Sequence, residues 1–263
     1  GGTEANIEAL WIYRNYFIKE KKATADQIRL VYSADSHYSF PKAGDLLGIK
    51  SVVTDVKEDD RSLVISDLEK KLEQAKKEGA KYFIVSLNLG TTMFGSVDDI
   101  DAVTKLLEKT KTEFKLHVDG AYGGFMYPFV AENSQFTFKN QHISSFTIDG
   151  HKLLQAPYGT GIFLVRKNMI EYVCTDQAKY VAGKDYTLIG SRSGANAACV
   201  WMILHIHGSK GWTLKMEQLL DKTTSLCAAL DDLGVEYYRH PQFNIVTIKS
   251  KYIAPSLAQA YTL

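Results

Sequence analysis

Lys152 stands as the single lysine in "SSFTIDGHKLLQAPYGTGIFLV" (144–165), among apolar and small residues. Most other lysines of the chain sit in charged helical runs such as "EKKLEQAKKEG". The stretch reads as a strand, a turn and a returning strand, with the lysine straight after Gly150 and His151. Burial penalises an ammonium ion, so an amine in apolar company holds its proton less tightly. A neutral amine can form a Schiff base with a carbonyl carbon. The plainer alternative, and the commoner fate of a lysine, is a packed stem with its head in water.

Two further stretches bear on that choice. In "KLHVDGAYGGF" a β-branched run ends in Asp119, followed by small residues that let something approach the backbone closely. Ligands of open α/β sheets bind at the carboxyl ends of strands. Asp119 is therefore either a turn cap or the partner of a cationic ligand group, and Gly123 and Gly124 favour a site. In "GGTEANIEAL" two glycines and Thr3 precede a helix. Backbone N–H groups at a positive dipole end suit a phosphate, although a plain N-cap, with Thr3 capping Asn6, fits as well. The pattern is neither the dinucleotide GxGxxG nor a Walker loop.

A phosphate cradle, a strand-end carboxylate and an isolated lysine at the end of the next strand form one constellation. Pyridoxal 5'-phosphate needs all three: an anchor for its phosphate, a partner for its ring nitrogen and an amine for its aldehyde. An anionic Asp119 would keep the pyridine protonated and electron-withdrawing.

Positioning such groups requires a sheet. Strands are expected at "IRLVYSA", "SVVTDV", "KYFIVSL", "FKLHVD", "SSFTID" and "GIFLVR". Helical patterns separate them, with Leu68, Leu72 and Ala75 on one face of 66–79, and Ile100, Val103, Leu106 and Leu107 on one face of 98–111. This alternation argues for an α/β fold with a mainly parallel, doubly wound sheet. The short gap between the last two strands makes one antiparallel member plausible. After about Gly190 helices are expected at 195–206 and 212–233, then short strands at "VEYYR" and "FNIVTIK". Residues 1–190 thus read as a large domain, and 191–263 as connecting helices with the start of a small α+β domain.

The 263 residues are 45% hydrophobic and 23% charged, and 31 Lys and Arg balance 30 Asp and Glu to give +1. Nothing in that charge favours nucleic acid or an anionic membrane, and no run approaches the ~20 apolar residues of a membrane span. Cys174, Cys199 and Cys227 form no CxxC pair and read as reduced thiols of a cytoplasmic protein. "GGTEANIEALW" opens like the middle of a domain and "PSLAQAYTL" ends like an arbitrary stop, so further residues are expected on both sides. His205 and His207, two apart on a helix, make a poor metal pair, and no metal is expected. Asp98 and Asp99 read as a helix N-terminal charge pair, and Tyr237 and Tyr238 as strand packing.

The chain resembles the group II pyridoxal-phosphate-dependent amino-acid decarboxylases, of the fold-type I superfamily. "GGTEAN", "SADSHYSFPKAGDLLGI", "LGTTMFGSVDDI", "HVDGAYGGF", "DGHKLLQAPYGTG" and "TLIGSRSG" carry the resemblance, in the family's order and spacing, from Gly1 to about Trp212. It implies that Lys152 bonds to the cofactor's aldehyde and Asp119 pairs with the pyridine nitrogen. Ala121 would lie against the ring, and His37 would stack on its face. Gly2, Thr3 and His151 would surround the phosphate, and Thr92 the ring substituents. Arg192 and Ser193 fall where relatives contribute to the substrate carboxylate or the neighbouring subunit's phosphate. A mobile-loop tyrosine is expected among Tyr172, Tyr180 and Tyr186, with Tyr180 favoured. Relatives carry alanine where this chain has Gly120, a change that here reads as the loss of one methyl group.

The implied activity is α-decarboxylation of an L-amino acid by a homodimer with shared active sites. A sphingosine-phosphate-lyase-like reaction or an aminotransferase reaction would use the same lysine and aspartate. A non-catalytic relative that binds a phosphate ligand is the alternative of another class. The substrate side chain is not given by these motifs.

Overall fold

The computed structural model describes residues 1–132, 134–175 and 183–261. Its elements run α1 (Gly2–Lys21), β1 (Ile28–Ser33), α2 (Ser39–Leu47), β2 (Lys50–Thr54), α3 (Ile65–Lys77), β3 (Tyr82–Asn88), α4 (Ile100–Lys109) and β4 (Glu113–Asp119). Then follow α5 (Tyr127–Val130), β5 (Ile143–Asp149), β6 (Gly161–Val165), α6 (Gly194–Asp232), β7 (Tyr237–Tyr238), β8 (Thr247–Ile248) and α7 (Pro255–Tyr261).

All six expected strands join one sheet in the order β2-β1-β3-β4-β5-β6. The pairings are parallel except for β5 with β6, which is antiparallel. The tight return after Lys152 leaves no room for a crossover helix, so β6 must run back along β5. β1 is buried along its whole length and β3 at all but its first residue, as expected of strands covered on both faces.

The chain leaves β1 for β2 on one side and returns to β3 on the other, which makes the β1/β3 junction the switch point of the sheet. Crevices form outside the carboxyl ends of strands at such points. Those ends deliver Ser33, Asn88, Asp119 and Asp149 to one rim, and Asn88 pairs in register with Asp119.

α1 is buried on nearly every side, including Leu10, Ile12, Tyr13 and Phe17. It packs against α2, β5 and β6, and so holds its N-terminus over the rim. α3 and α4 cover the opposite face with the Leu68 and Val103 stripes read from the sequence. The two helices expected after Gly190 follow one another within α6 and part at Gly208, whose backbone is non-helical (φ 57°, ψ 178°). Trp212 and Met216 of α6, with Phe243, enter the same apolar core as the sheet. No helix among the described residues is long and apolar enough to cross a membrane.

Candidate active site

A cleft of about 330 Å³ opens where α1, β3, β4 and the turn after β5 meet. Gly2, Thr3, His37, Thr92, Asp119, Ala121, His151 and Lys152 all line it, and so do Asn6, Asn88, Thr91 and Asp149. Every cofactor-contacting position expected from the sequence is thus brought to one place.

α1 begins at Gly2 with Gly1 as its N-cap and no side-chain cap. Thr3 is therefore inside the first turn and does not cap Asn6. First-turn N–H groups have no partner within their own helix, and here they open onto the cleft. The Gly2 N–H donates to Asp149 Oδ1 at 2.7 Å. A Cβ at Gly2 would lie 2.9 Å from Asp149 Oδ2 and 3.3 Å from the Ala121 methyl. The cradle is open because that atom is absent.

Asp119 ends β4 and is almost fully buried. Its Oδ1 accepts the Ala121 N–H at 3.0 Å, closing the turn, and its Oδ2 accepts from Asn6 Nδ2 at 2.8 Å. The turn-cap reading of this residue holds, and the same carboxylate also lines the cleft. Burial pushes its carboxyl above the ordinary aspartate value, while those two donors and the charges of Lys152 and His37 oppose the rise.

Lys152 differs from expectation in its surroundings. Leu154 is buried, but the amine points into a polar cleft, 3.4 Å from Asp149 Oδ2, with about a third of the side chain exposed. An ion pair, not an apolar pocket, orients it. Asp149 therefore holds both the lysine and the glycine cradle, and the sequence reading missed it. Its place three residues before Lys152, at a strand end, was the available signal.

His37 lies half-buried beside Tyr38, the ring centroids 4.1 Å apart. Its Nδ1 accepts the Ser39 N–H at 3.2 Å and lies 3.0 Å from Ser39 Oγ. Burial lowers its proton affinity, with Asp119 acting against that. His151 Nδ1 donates to the Thr160 carbonyl at 3.1 Å, which leaves Nε2 as the acceptor nitrogen. Thr91 is tied to Ser96 at 2.7 Å, while the neighbouring Thr92 is exposed at the rim.

Other expectations change. Tyr180 lies outside the described residues. Tyr172 packs edge-on against Tyr16, away from the cleft lining, and Tyr186 does not line the cleft either. Arg192 and Ser193 are exposed just before α6 and outside the lining. Gly123 and Gly124 admit no ligand: a Cβ at Gly123 would meet Leu89 O at 2.2 Å, and one at Gly124 would meet Ile148 Cγ1 at 2.8 Å.

Gly120 is more than a lost methyl, because a Cβ there would lie 2.6 Å from Phe146 Cε1. Asp99 caps α4 through the Ala102 N–H at 2.9 Å. Asp98 is instead a buried clamp that accepts from the Leu63 and Asn88 N–H groups and from Asn88 Nδ2. Burial pushes it up to about 6. His205 stacks on Trp201 and His207 meets Trp212. Among the described residues no His, Cys, Asp and Glu cluster is placed to hold a metal ion.

A glycine-led helix N-terminus for an anion, a buried carboxylate for a cationic nitrogen and an amine for a carbonyl fit pyridoxal phosphate in one cleft. Comparison with known proteins agrees. The model of the pyridoxal-dependent decarboxylase conserved domain matches residues 1–249. The tryptophan decarboxylase of Clostridium sporogenes is 48% identical over 263 residues, all of this chain and 63% of that protein. A histidine decarboxylase of Vibrio campbellii is 28% identical over 94% of this chain and 61% of its own length. The L-methionine decarboxylase of Streptomyces sp. 590 superposes with a TM-score of 0.82 at 23% identity, covering all of this chain and 69% of that one. This chain spans under two thirds of the first two relatives, and it belongs to the pyridoxal-dependent decarboxylase family.

Proposed function

We propose that this chain carries the cofactor site of an amino-acid α-decarboxylase that uses pyridoxal 5'-phosphate. The observation that carries the reading is the convergence of Lys152, Asp119 and the α1 N-terminus on one cleft. Bound there, the cofactor would supply an aldehyde for amine bonding and a protonated ring that draws electrons away from the substrate Cα. The first turn of α1, with Gly2 and Thr3, would hold the phosphate, and His151 would border it. Asp119 would hold a proton on the ring nitrogen, His37 would cover a ring face, and Ala121 and Thr92 would bound the ring. Lys152 Nζ would be the bonding amine and Asp149 its holder.

Decarboxylation breaks the Cα–carboxylate bond, releases carbon dioxide and leaves an electron pair at Cα that takes up a proton. Tyr180 is our choice for that donor. Arg192 and Ser193 lie outside the cleft lining, and this reading assigns them to a neighbouring subunit. Trp201 and Ile206 of α6 are 62% and 71% exposed, which supports a homodimer that covers them. Residues 1–190 are the cofactor-binding domain in this reading, and 191–263 the link to a smaller one. A cytoplasmic setting belongs to the same reading, in which the three widely spaced cysteines form no CxxC pair.

An aromatic L-amino acid is the first substrate to test, since the 48% identical relative is a tryptophan decarboxylase. Protein incubated with pyridoxal phosphate should turn yellow, and borohydride should fix the cofactor on Lys152 in a peptide map. A Lys152→Ala variant should show no fixed adduct. Supplied with L-tryptophan, full-length protein should release carbon dioxide and a primary amine. An aldehyde or a keto acid would move the reading to a lyase or an aminotransferase, and an unlabelled, colourless protein would end it.

A further inference from the structure

Asn6 sits in the second turn of α1, only 1% exposed, and every polar bond of its side chain goes to a neighbour of the cleft. Nδ2 donates to Asp119 Oδ2 at 2.8 Å and to Ser39 Oγ at 2.9 Å, and Oδ1 lies 3.0 Å from His117 Nε2. An asparagine amide has two donor hydrogens on nitrogen, and its oxygen only accepts. Both donor hydrogens are used, and the oxygen has one partner.

The chemistry fixes the direction of each bond. An ionised carboxylate only accepts, so the amide nitrogen must face Asp119. Oδ1 then needs a donor, which places the His117 proton on Nε2, shared with the longer contact to Thr147 Oγ1 at 3.3 Å. The other nitrogen, His117 Nδ1, accepts from the Ser145 hydroxyl at 2.7 Å. Ser39, having accepted from Asn6, turns its own hydrogen to His37 Nδ1 at 3.0 Å, and the Ser39 N–H bonds the same atom. The His37 proton is thereby placed on Nε2. His117 is fully buried, and burial lowers its proton affinity to about 3, so it stays a neutral one-way donor.

We propose that Asn6 is the positioning residue of this cleft: its amide, locked from behind by His117, holds Asp119 as an acceptor and turns the Ser39 hydroxyl to His37 Nδ1, reinforcing the tautomer that the Ser39 N–H sets. This rests on the reading that Asp119 and His37 face the cofactor ring. Turning the amide would set its oxygen against the Asp119 carboxylate and its nitrogen against the His117 N–H, opposing like groups at the Asp119 and His117 contacts together.

Two measurements test it. In cofactor-free protein, ¹⁵N NMR of the imidazoles should show His37 and His117 both protonated on Nε2. Pyridoxal phosphate affinity and the absorbance of the bound cofactor are then compared among Asn6→Leu, His117→Phe and His117→Gln. A buried bond to a charged group suggests a loss of about tenfold or more in affinity for Asn6→Leu. His117→Phe should also weaken binding and shift the absorbance band. His117→Gln keeps an N–H donor for Asn6 and should restore both. If His117 only fills space, Phe will serve better than Gln, and the proposal fails. Nδ1 protonation of His117, or wild-type affinity and spectrum in Asn6→Leu, overturns it as well. Should a variant not fold, the wild-type tautomers decide. A wild-type protein with no adduct at Lys152 refutes the cofactor reading, whereas the tautomers judge the relay independently.

Discussion

Asp149 does two jobs of different strength around Lys152, and their magnitudes separate them. Its ion pair with Lys152 spans 3.4 Å, and about a third of the lysine side chain is exposed, so screening leaves that pair at most ~1 kcal/mol. Its bond to the Gly2 N–H is buried and charge-assisted at 2.7 Å, which makes its loss cost about 1–3 kcal/mol. Asp149→Asn retains an acceptor oxygen for Gly2 and should lose little stability. Asp149→Ala should lose the larger amount and loosen the α1 N-terminus. Urea unfolding of both variants without cofactor checks the ranking, and equal losses would contradict it. Lys152 and Asp119 were legible as candidates because each belongs to a short local motif, whereas His37 came only from the family resemblance. Asn6 and His117 were not legible, because their partners lie 113 and 111 residues away along the chain. Only the docking of α1 over β4 makes them neighbours.

At the scale of elements, periodicity located the sheet well because each strand is bounded by turns and each helix shows one apolar stripe. It failed where tertiary contact overrides pattern, as β7 and β8 shrink to two-residue strands, whereas the two helices expected after Gly190 do part at the non-helical Gly208. Glycines misled in the same way, since Gly120, Gly123 and Gly124 make room for Phe146, Phe243 and Ile148. The β4–β5 junction gives a test of this close fit. Gly120→Ala places a methyl 2.6 Å from the Phe146 ring, and overpacking of this kind costs about 1–3 kcal/mol. Phe146→Leu in the same chain should recover part of that loss. Neighbours in contact show such non-additivity, and a double-mutant cycle by urea unfolding reads it directly. Strictly additive losses would mean that Phe146 moves aside unaided.

For the whole molecule, three buried groups give the pH dependence of stability a defined shape. Glu8 lies on α1 with Oε2 accepting the Leu188 N–H at 2.8 Å, and burial pushes it up to about 7. Asp98 is pushed up to about 6 by burial. Both bind a proton more readily folded than unfolded, so their contribution is full below pH 4.5 and 3.8 and is lost as pH rises through 7 and 6. His117 works the other way. Lowered from 6.5 to about 3, it contributes stability above pH 6.5 that is lost as pH falls toward 3. Between pH 6.5 and 4.5 the folded state thus gains a proton at Glu8 and forgoes one at His117, and the two slopes oppose each other. Each is worth up to about 1.4 kcal/mol per pH unit. Glu8→Gln should therefore make the protein lose stability more steeply than wild type on acidification across that window. His117→Gln should make it lose less, or gain. Urea midpoints at pH 5, 6 and 7 measure the differences, in which the exposed carboxylates common to all three proteins cancel. Parallel curves would show that neither group is held in the charge state its burial demands. For His117, that outcome would also remove the neutral donor on which the orientation of Asn6 depends.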